Sequence, residues 1–132
     1  MAGSGLVLIV DDVPDMRDMY AQFLDLCGFR VALTCDGLEA LQATTSELPS
    51  VILMDLNMPR MDGWEAIRRL KSNPRTTDVP IVALSAQAFG DEPQRARDAG
   101  ADVCLTKPCS PSQVARVVRT LLKKNAAAAL DC

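Results

Sequence analysis

Val51-Ile52-Leu53-Met54-Asp55-Leu56-Asn57-Met58-Pro59 decides how the rest of the chain is read. Four consecutive apolar residues, bounded by Pro49-Ser50 before and Pro59 after, suit a strand buried on both faces. Asp55 arrives where that strand ends. In an open parallel sheet the ligand crevice lies beyond the carboxyl ends of the strands, so an acid here stands where a nucleophile or a metal ligand would be placed. Taken alone, an aspartate that merely caps a turn accounts for it equally well.

The same pattern recurs on either side. Leu6 to Val10 is an apolar run leading straight into Asp11-Asp12, a second buried strand ending in acid. Met16, Met19, Tyr20, Phe23, Leu24 and Cys27 follow the helical period, in a helix that opens near Pro14 and stops at Gly28. Phe29 to Thr34 reads as a short strand, and Gly37 to Glu47 as a helix burying Leu38 and Leu41. Beyond Asp55, Met61-Asp62-Gly63 supplies a turn, and Trp64, Ile67 and Leu70 mark one face of a third helix. Val79 to Leu84 is a fourth strand, with Pro80 confined to its entry, ending at Ser85-Ala86. Ala88 to Ala99 is a helix interrupted by Gly90 and Pro93 and stopped by Gly100, expected to be the most mobile of the helices. Ala101 to Thr106 is a fifth strand leading to Lys107-Pro108. Ser110-Pro111-Ser112-Gln113 then combines an N-cap, a first-turn proline and a capping-box glutamine, before a buried stripe of Val114, Val117, Val118, Leu121 and Leu122.

Strand and helix alternating five times imply an α/β fold, a parallel sheet covered on both faces by right-handed crossovers. The 132 residues suffice for one core. We expect an N-terminal extension at 1–5, one domain at 6–123 and a tail at 124–132 that is a frayed helix end or a linker stub.

Composition narrows the function. A net charge of −3 with scattered Lys and Arg offers no basic face to nucleic acid. No apolar run is long enough for a membrane span, and the first residues lack the features of a secretion signal, so a cytoplasmic protein with no membrane partner is expected. Five cysteines without CxxC spacing argue for reduced thiols rather than disulfides or a zinc site. Histidine is absent altogether, which excludes Ser-His-Asp and Cys-His catalysis, histidine-ligated zinc and any role as a phosphohistidine donor.

Four of the five expected strands end in residues suited to phosphate chemistry: Asp11-Asp12, Asp55, Ser85 and Lys107. A parallel sheet brings all four ends to one edge. Three clustered carboxylates repel one another unless a cation neutralises them, and an all-oxygen donor set favours Mg²⁺, with Mn²⁺ as a substitute, over zinc. Asp11 and Asp12 acting only as caps of the first helix would leave Asp55 and Lys107 unexplained.

In this order and spacing, the acidic pair Asp11-Asp12, the segment Met54 to Pro59 followed by Asp62-Gly63, the strand end Ser85-Ala86, and Gly100-Ala101-Asp102 leading to Lys107-Pro108 resemble the receiver domain of two-component response regulators, close to the stand-alone chemotaxis type. The similarity runs from about Leu6 to Leu122. It implies a doubly wound, flavodoxin-like, five-stranded sheet of order 2-1-3-4-5 with five helices. It also implies that Asp55 accepts a phosphoryl group from a histidine kinase, a histidine phosphotransfer protein or a small donor such as acetyl phosphate. Mg²⁺ would be held by Asp12, Asp55 and the backbone carbonyl of Asn57, with Asp11 acting through water. Lys107 would pair with one phosphoryl oxygen, and Ser85 would donate a hydrogen bond to another. The loop after the fourth strand, drawn inward by that bond, would remodel the face formed by the fourth helix, fifth strand and fifth helix, changing how an unknown downstream protein or a second, phosphorylated copy binds. The Lys107-Pro108 bond would be cis.

Two features set this chain apart. The family's switch pairs Ser or Thr with an aromatic residue three places before the lysine, and Cys104 stands there; either the switch works without that reporter, or Cys104 is simply a small core residue. Asn57 and Gln87, at positions where the family tunes loss of the phosphoryl group, are amides unable to act as general bases. Three other readings stay open: a receiver segment of a hybrid kinase or transcription regulator, an interaction-only receiver, and a Mg²⁺-dependent phosphatase with an Asp nucleophile. The last is disfavoured because its second acid would fall at Asn57. Apart from catalysing its own modification, the chain is not expected to be an enzyme.

Overall fold

The computed structural model describes residues 5–58, 63–86, 91–107 and 109–131, with the backbone alone for 124–131. Strands and helices alternate as β1 (Leu6–Val10), α1 (Pro14–Leu26), β2 (Arg30–Thr34), α2 (Gly37–Ser46), β3 (Val51–Asp55), α3 (Gly63–Ser72), β4 (Ile81–Ser85), α4 (Glu92–Ala99), β5 (Val103–Thr106) and α5 (Pro111–Asp131). Every strand pairing is parallel and the sheet order is β2-β1-β3-β4-β5. This is the doubly wound order that the resemblance implied.

Burial follows from that order. Every residue of the inner strands β1, β3 and β4 is buried, because helices cover both faces, whereas the edge strand β2 turns Arg30 and Leu33 to solvent. Alternate side chains along each strand enter opposite layers. Leu8, Val10, Ile52, Met54, Ile81 and Ala83 pack with Trp64, Ile67 and Leu70 of α3 and Ala96 of α4. Val7, Ile9, Val51, Leu53, Val82 and Leu84 pack with Tyr20 and Leu24 of α1 and Val114 and Val118 of α5. Each fully buried Leu or Ile in these layers contributes about 2 kcal/mol, so the sheet's central strands form a stiff base for whatever their ends carry.

The helix ends follow the expected chemistry. Gly28 closes α1 at φ 96° and Gly100 closes α4 at φ 123°, a left-handed conformation that glycine adopts without a Cβ clash. At α5, Ser110 Oγ accepts from the Gln113 amide at 3.2 Å, but the Gln113 side-chain oxygen accepts from the Cys109 thiol instead of closing the box.

Several expectations change. Leu38 is 40% exposed, and the buried face of α2 is Gly37, Ala40 and Thr44. The cause is a capping box at its start: Asp36 Oδ1 accepts the Glu39 amide at 2.9 Å and Glu39 Oε1 accepts the Cys35 amide at 3.0 Å, and the rotation so fixed points Ala40 and Thr44, four apart, at the sheet. Met19, expected in the α1 stripe, is 37% exposed, while Ala21 is buried. Pro93 does not interrupt α4. It lies in the first turn of a helix that begins at Glu92, where a missing N–H costs nothing. The strands β2, β4 and β5 begin one or two residues later than the sequence suggests. Among the described residues, no helix is long and apolar enough to cross a membrane. Residues 1–4, Pro59 to Asp62, Gln87 to Gly90, Pro108 with its peptide bond, and Cys132 lie outside the described residues.

Candidate functional site

The sheet register brings the polar strand ends together. Val10 of β1 pairs with Met54 of β3, so Asp11, one residue past β1, comes level with Asp55, the last residue of β3. The Asp11 amide donates to the Thr34 carbonyl at 3.1 Å, which holds the turn after β1 to the edge strand. On the other side, Asp55 pairs with Leu84 and Ser85 with Thr106, and the Lys107 amide donates to the Ser85 carbonyl at 2.7 Å. Lys107 therefore leaves β5 beside the same edge.

One carboxylate oxygen each from Asp11, Asp12 and Asp55 lies within 4.8 Å of the other two. Asp11 and Asp55 are 1% and 3% exposed, and Asp12 is half-buried. Lys107 Nζ stands 3.3 Å from Asp55 Oδ2 and 3.5 Å from Asp11 Oδ2. Each buried acid is fixed through its other oxygen: Asp11 Oδ1 accepts the Val13 amide at 2.9 Å, and Asp55 Oδ1 accepts the Asn57 amide at 3.1 Å. These local turns aim both Oδ2 atoms at the shared space. Arg17 donates to the Asp11 carbonyl at 3.3 Å, tying α1 to the same turn.

Burial pushes the Asp55 carboxyl from its ordinary 3.8 up to about 6; the Asn57 amide and the Lys107 ammonium pull it down, and the Asp11 charge adds to the rise. Among the described residues, three acids thus share the Lys107 ammonium, and Asp11 Oδ2 is buried with no hydrogen-bond partner. A buried carboxylate oxygen with an ion pair but no hydrogen bond, in a cluster that offers only hard oxygen donors, fits a divalent cation of the Mg²⁺ class.

The other expected residues fall differently. Ser85 is fully buried at the end of β4, and its hydroxyl donates to the Glu92 carboxylate, itself 8% exposed, at the start of α4. Asn57 is exposed and follows the Asp55 turn directly. Cys104 is half-buried beside the apolar layer under α3 and α4. Burial raises its thiol, which argues against a reactive thiolate. Gln87 lies outside the described residues.

Three contributors escaped the sequence reading. Gly63, read as a turn residue and as one mark of the resemblance but given no part in the site, starts α3 against it: a Cβ there would meet the Asp55 carbonyl oxygen at 2.4 Å and Leu56 Cα at 2.7 Å. Tyr20, one member of an apolar stripe, is fully buried and donates its hydroxyl to the Cys109 carbonyl at 3.0 Å, two residues past Lys107. Burial pushes its phenol up to about 12. Glu92 carries a carboxyl group into the interior. An acid at the first turn of a polar helix normally faces solvent, so its residue type gave no signal.

Residues 7–119 match the response regulator receiver domain. The chain is 37% identical over 113 residues to an uncharacterized 14.6 kDa protein of Leptolyngbya boryana, covering 86% of each. It is also 37% identical over 123 residues to the transcriptional regulatory protein PrrA of Mycobacterium tuberculosis, covering 93% of this chain and 52% of that protein, so it spans about half the length of such regulators. Among solved structures, the chemotaxis response regulator CheY4 of Vibrio cholerae superposes with a TM-score of 0.84 at 29% identity, covering 89% of this chain and 98% of that one. The receiver domain of a Pseudomonas aeruginosa sensor histidine kinase, solved with a magnesium ion coordinated in its active site cleft, superposes with a TM-score of 0.84 at 28% identity, covering 91% and 98%. With its sheet order and acidic edge alongside these matches, the chain belongs to the response regulator receiver domain family of two-component signalling.

Proposed function

We propose that this chain is a phosphorylation-activated switch whose phosphoacceptor is Asp55. The observation that carries this reading is the grouping of a nearly buried Asp55 carboxylate with Asp11 and Asp12 within 4.8 Å and with Lys107 at 3.3 Å. Asp12, Asp55 and the Asn57 carbonyl would hold Mg²⁺, with Asp11 through water. The ion, when bound, neutralises the acids and the oxygens of the incoming group. The magnesium ion in the active site cleft of the Pseudomonas receiver supports a divalent ion at this edge.

Asp55 Oδ2 attacks the phosphorus of a phosphohistidine on a histidine kinase or phosphotransfer protein, or of acetyl phosphate. A P–O bond forms to Asp55 as the P–N bond to imidazole, or the P–O bond to acetate, breaks and the leaving group keeps the electron pair. Lys107, already placed between Asp11 and Asp55, follows the new phosphoryl oxygen. The Asn57 amide keeps the Asp55 carboxyl in line, and burial limits the access of water to the acyl phosphate. Ser85 donates its hydroxyl to a phosphoryl oxygen, and the resulting change at α4, β5 and α5 alters binding of a downstream protein or of a second copy. Asn57 and Gln87, being amides, leave the lifetime of the phosphoryl group to geometry rather than base catalysis.

The receiver unit is assigned to 6–123, with 1–5 as an extension and 124–132 as a tail, in a cytoplasmic protein without direct nucleic-acid contacts. A receiver working as one segment of a longer regulator is the second reading, favoured by the half-length coverage of PrrA. Incubation with Mg²⁺ and acetyl phosphate or phosphoramidate, followed by intact mass, tests the reading. One added phosphoryl group on the wild type and none on Asp55→Asn is expected. No adduct from either donor would leave an interaction-only receiver, and steady phosphate release from unrelated phosphomonoesters would point to a phosphatase.

A further inference from the structure

We infer that Glu92 is the positioning residue through which Ser85 controls α4, supplying the link between site and output face that Cys104 cannot. The inference rests on the phosphoacceptor reading of Asp55 and says how the signal leaves that site. Ser85 is fully buried at the end of β4, and its hydroxyl donates to the carboxylate of Glu92, buried in the first turn of α4. α4 has a weak grip on the sheet: of its eight residues only Glu92 and Ala96 are buried. A methyl group holds the middle of the helix, and the hydrogen bond to Ser85 holds its start. Arg95 lies over the Trp64 ring at 4.5 Å and adds a tie to α3.

A serine hydroxyl has one proton to donate. When it is given to a phosphoryl oxygen on Asp55, Glu92 loses it. A buried carboxylate stripped of a donor is unfavourable, and the nearest relief is water, reached when the first turn of α4 moves outward. Ala96, one turn on from Glu92, belongs to the apolar layer against which Cys104 of β5 packs. The helix that Glu92 ties to Ser85 is therefore the one packed beside the position of the missing aromatic reporter. Its departure changes the surroundings of β5 at Cys104 without any ring having to swing.

The coupling must be reciprocal. A chain in which Glu92 does not compete for the hydroxyl lets Ser85 serve the phosphoryl group more readily, and so holds a larger phosphorylated fraction. The test follows Glu92→Ala, Glu92→Gln, Ser85→Ala and the Ser85→Ala/Glu92→Ala pair in two readouts. These are deuterium exchange of the segment 91–106, and the phosphorylated-to-unmodified ratio by intact mass at a fixed acetyl phosphate and Mg²⁺ concentration. In the wild type, phosphorylation is expected to speed exchange in the first turn of α4. Unmodified Glu92→Ala should already exchange at that faster rate, and its phosphorylated-to-unmodified ratio should rise by about 5-fold, the lower end of typical coupling. Ser85→Ala should cancel that rise in the pair, and Glu92→Gln, which keeps the acceptor and the shape, should stay near the wild type in unmodified exchange. A purely structural role for Glu92 would loosen α4 without moving the ratio, and that result overturns the inference. So does a wild-type adduct with α4 exchange unchanged, or wild-type exchange in unmodified Glu92→Ala. Failure to form any adduct on the wild type would instead overturn the phosphoacceptor reading beneath it.

Discussion

Replacing Asp55, the proposed phosphoacceptor, should make the metal-free protein more stable, and the gain should depend on pH. Asp55 is 3% exposed, and burial raises its carboxyl from 3.8 to about 6. The folded state therefore holds the Asp55 proton more tightly than the unfolded chain does. The stabilisation this provides is fully present below pH 3.8 and is lost as pH rises through about 6. A shift of roughly two units corresponds to about 3 kcal/mol between the charged and neutral forms. Above pH 7 the wild type thus carries a charge its interior disfavours. Asp55→Asn keeps the oxygen that accepts the Asn57 amide and removes the charge, but turns an amide toward Lys107, which offsets part of the gain. A net stabilisation of about 2 kcal/mol at pH 8 is expected, or a Tm higher by roughly 7 °C for a domain of this size. Thermal melts in EDTA at pH 8 and pH 5 read this directly: the gap should be large at pH 8 and mostly closed at pH 5, where the wild-type carboxyl is largely protonated. Saturating Mg²⁺ should narrow it at pH 8, because the ion stabilises the wild type more. An Asp55→Asn variant less stable than the wild type at pH 8, or a gap indifferent to pH, would refute the electrostatic reasoning.

Other perturbations of the same edge have distinct signatures. Lys107→Ala removes the ammonium that stands 3.3 Å and 3.5 Å from Asp55 and Asp11. It should cost about 2 kcal/mol in EDTA at pH 8 and much less at pH 5 by denaturant titration, since Asp55 can then take up a proton. Gly63→Ala places a methyl group against the Asp55 carbonyl and Leu56 Cα; a loss of about 2 kcal/mol with Mg²⁺ affinity about 10-fold weaker is expected by melting and isothermal titration. Tyr20→Phe leaves the buried Cys109 carbonyl without its donor and should cost about 1 kcal/mol, with adduct formation slowed because the segment after Lys107 is less firmly held.

The fold was largely legible because the sequence repeats one device. Runs such as Leu6 to Val10 and Val51 to Met54 can only be buried on both faces, and each ends in a residue that cannot be buried without a partner. Periodicity then located α1, α3 and α5, while the stop at Gly100 marked the end of α4. It misjudged α2, where Leu38 looked like core, because the Asp36/Glu39 capping box sets the helix rotation and a count of apolar residues does not register it. Pro93 was misread for a similar reason: a proline breaks a helix interior but opens a first turn, and the choice depends on where the N-cap falls. At the site, Asp11, Asp12, Asp55 and Lys107 were legible from strand ends alone. The contacts of Tyr20 and Glu92 were not, since they run across 89 and 7 residues of chain and leave no periodic trace. Ser85 was placed at the correct edge, but its bond to Glu92 shows only in three dimensions.

Reductive trapping addresses the phosphoryl chemistry at residue level. After treatment with acetyl phosphate and Mg²⁺, borohydride converts an aspartyl phosphate to homoserine, and peptide mass mapping reports which aspartate was modified. Homoserine at position 55 alone, dependent on Mg²⁺, is the expected result. Conversion at Asp11 or Asp12, or a phosphoryl group retained elsewhere with Asp55 intact, would contradict the assignment of Asp55 as the phosphoacceptor.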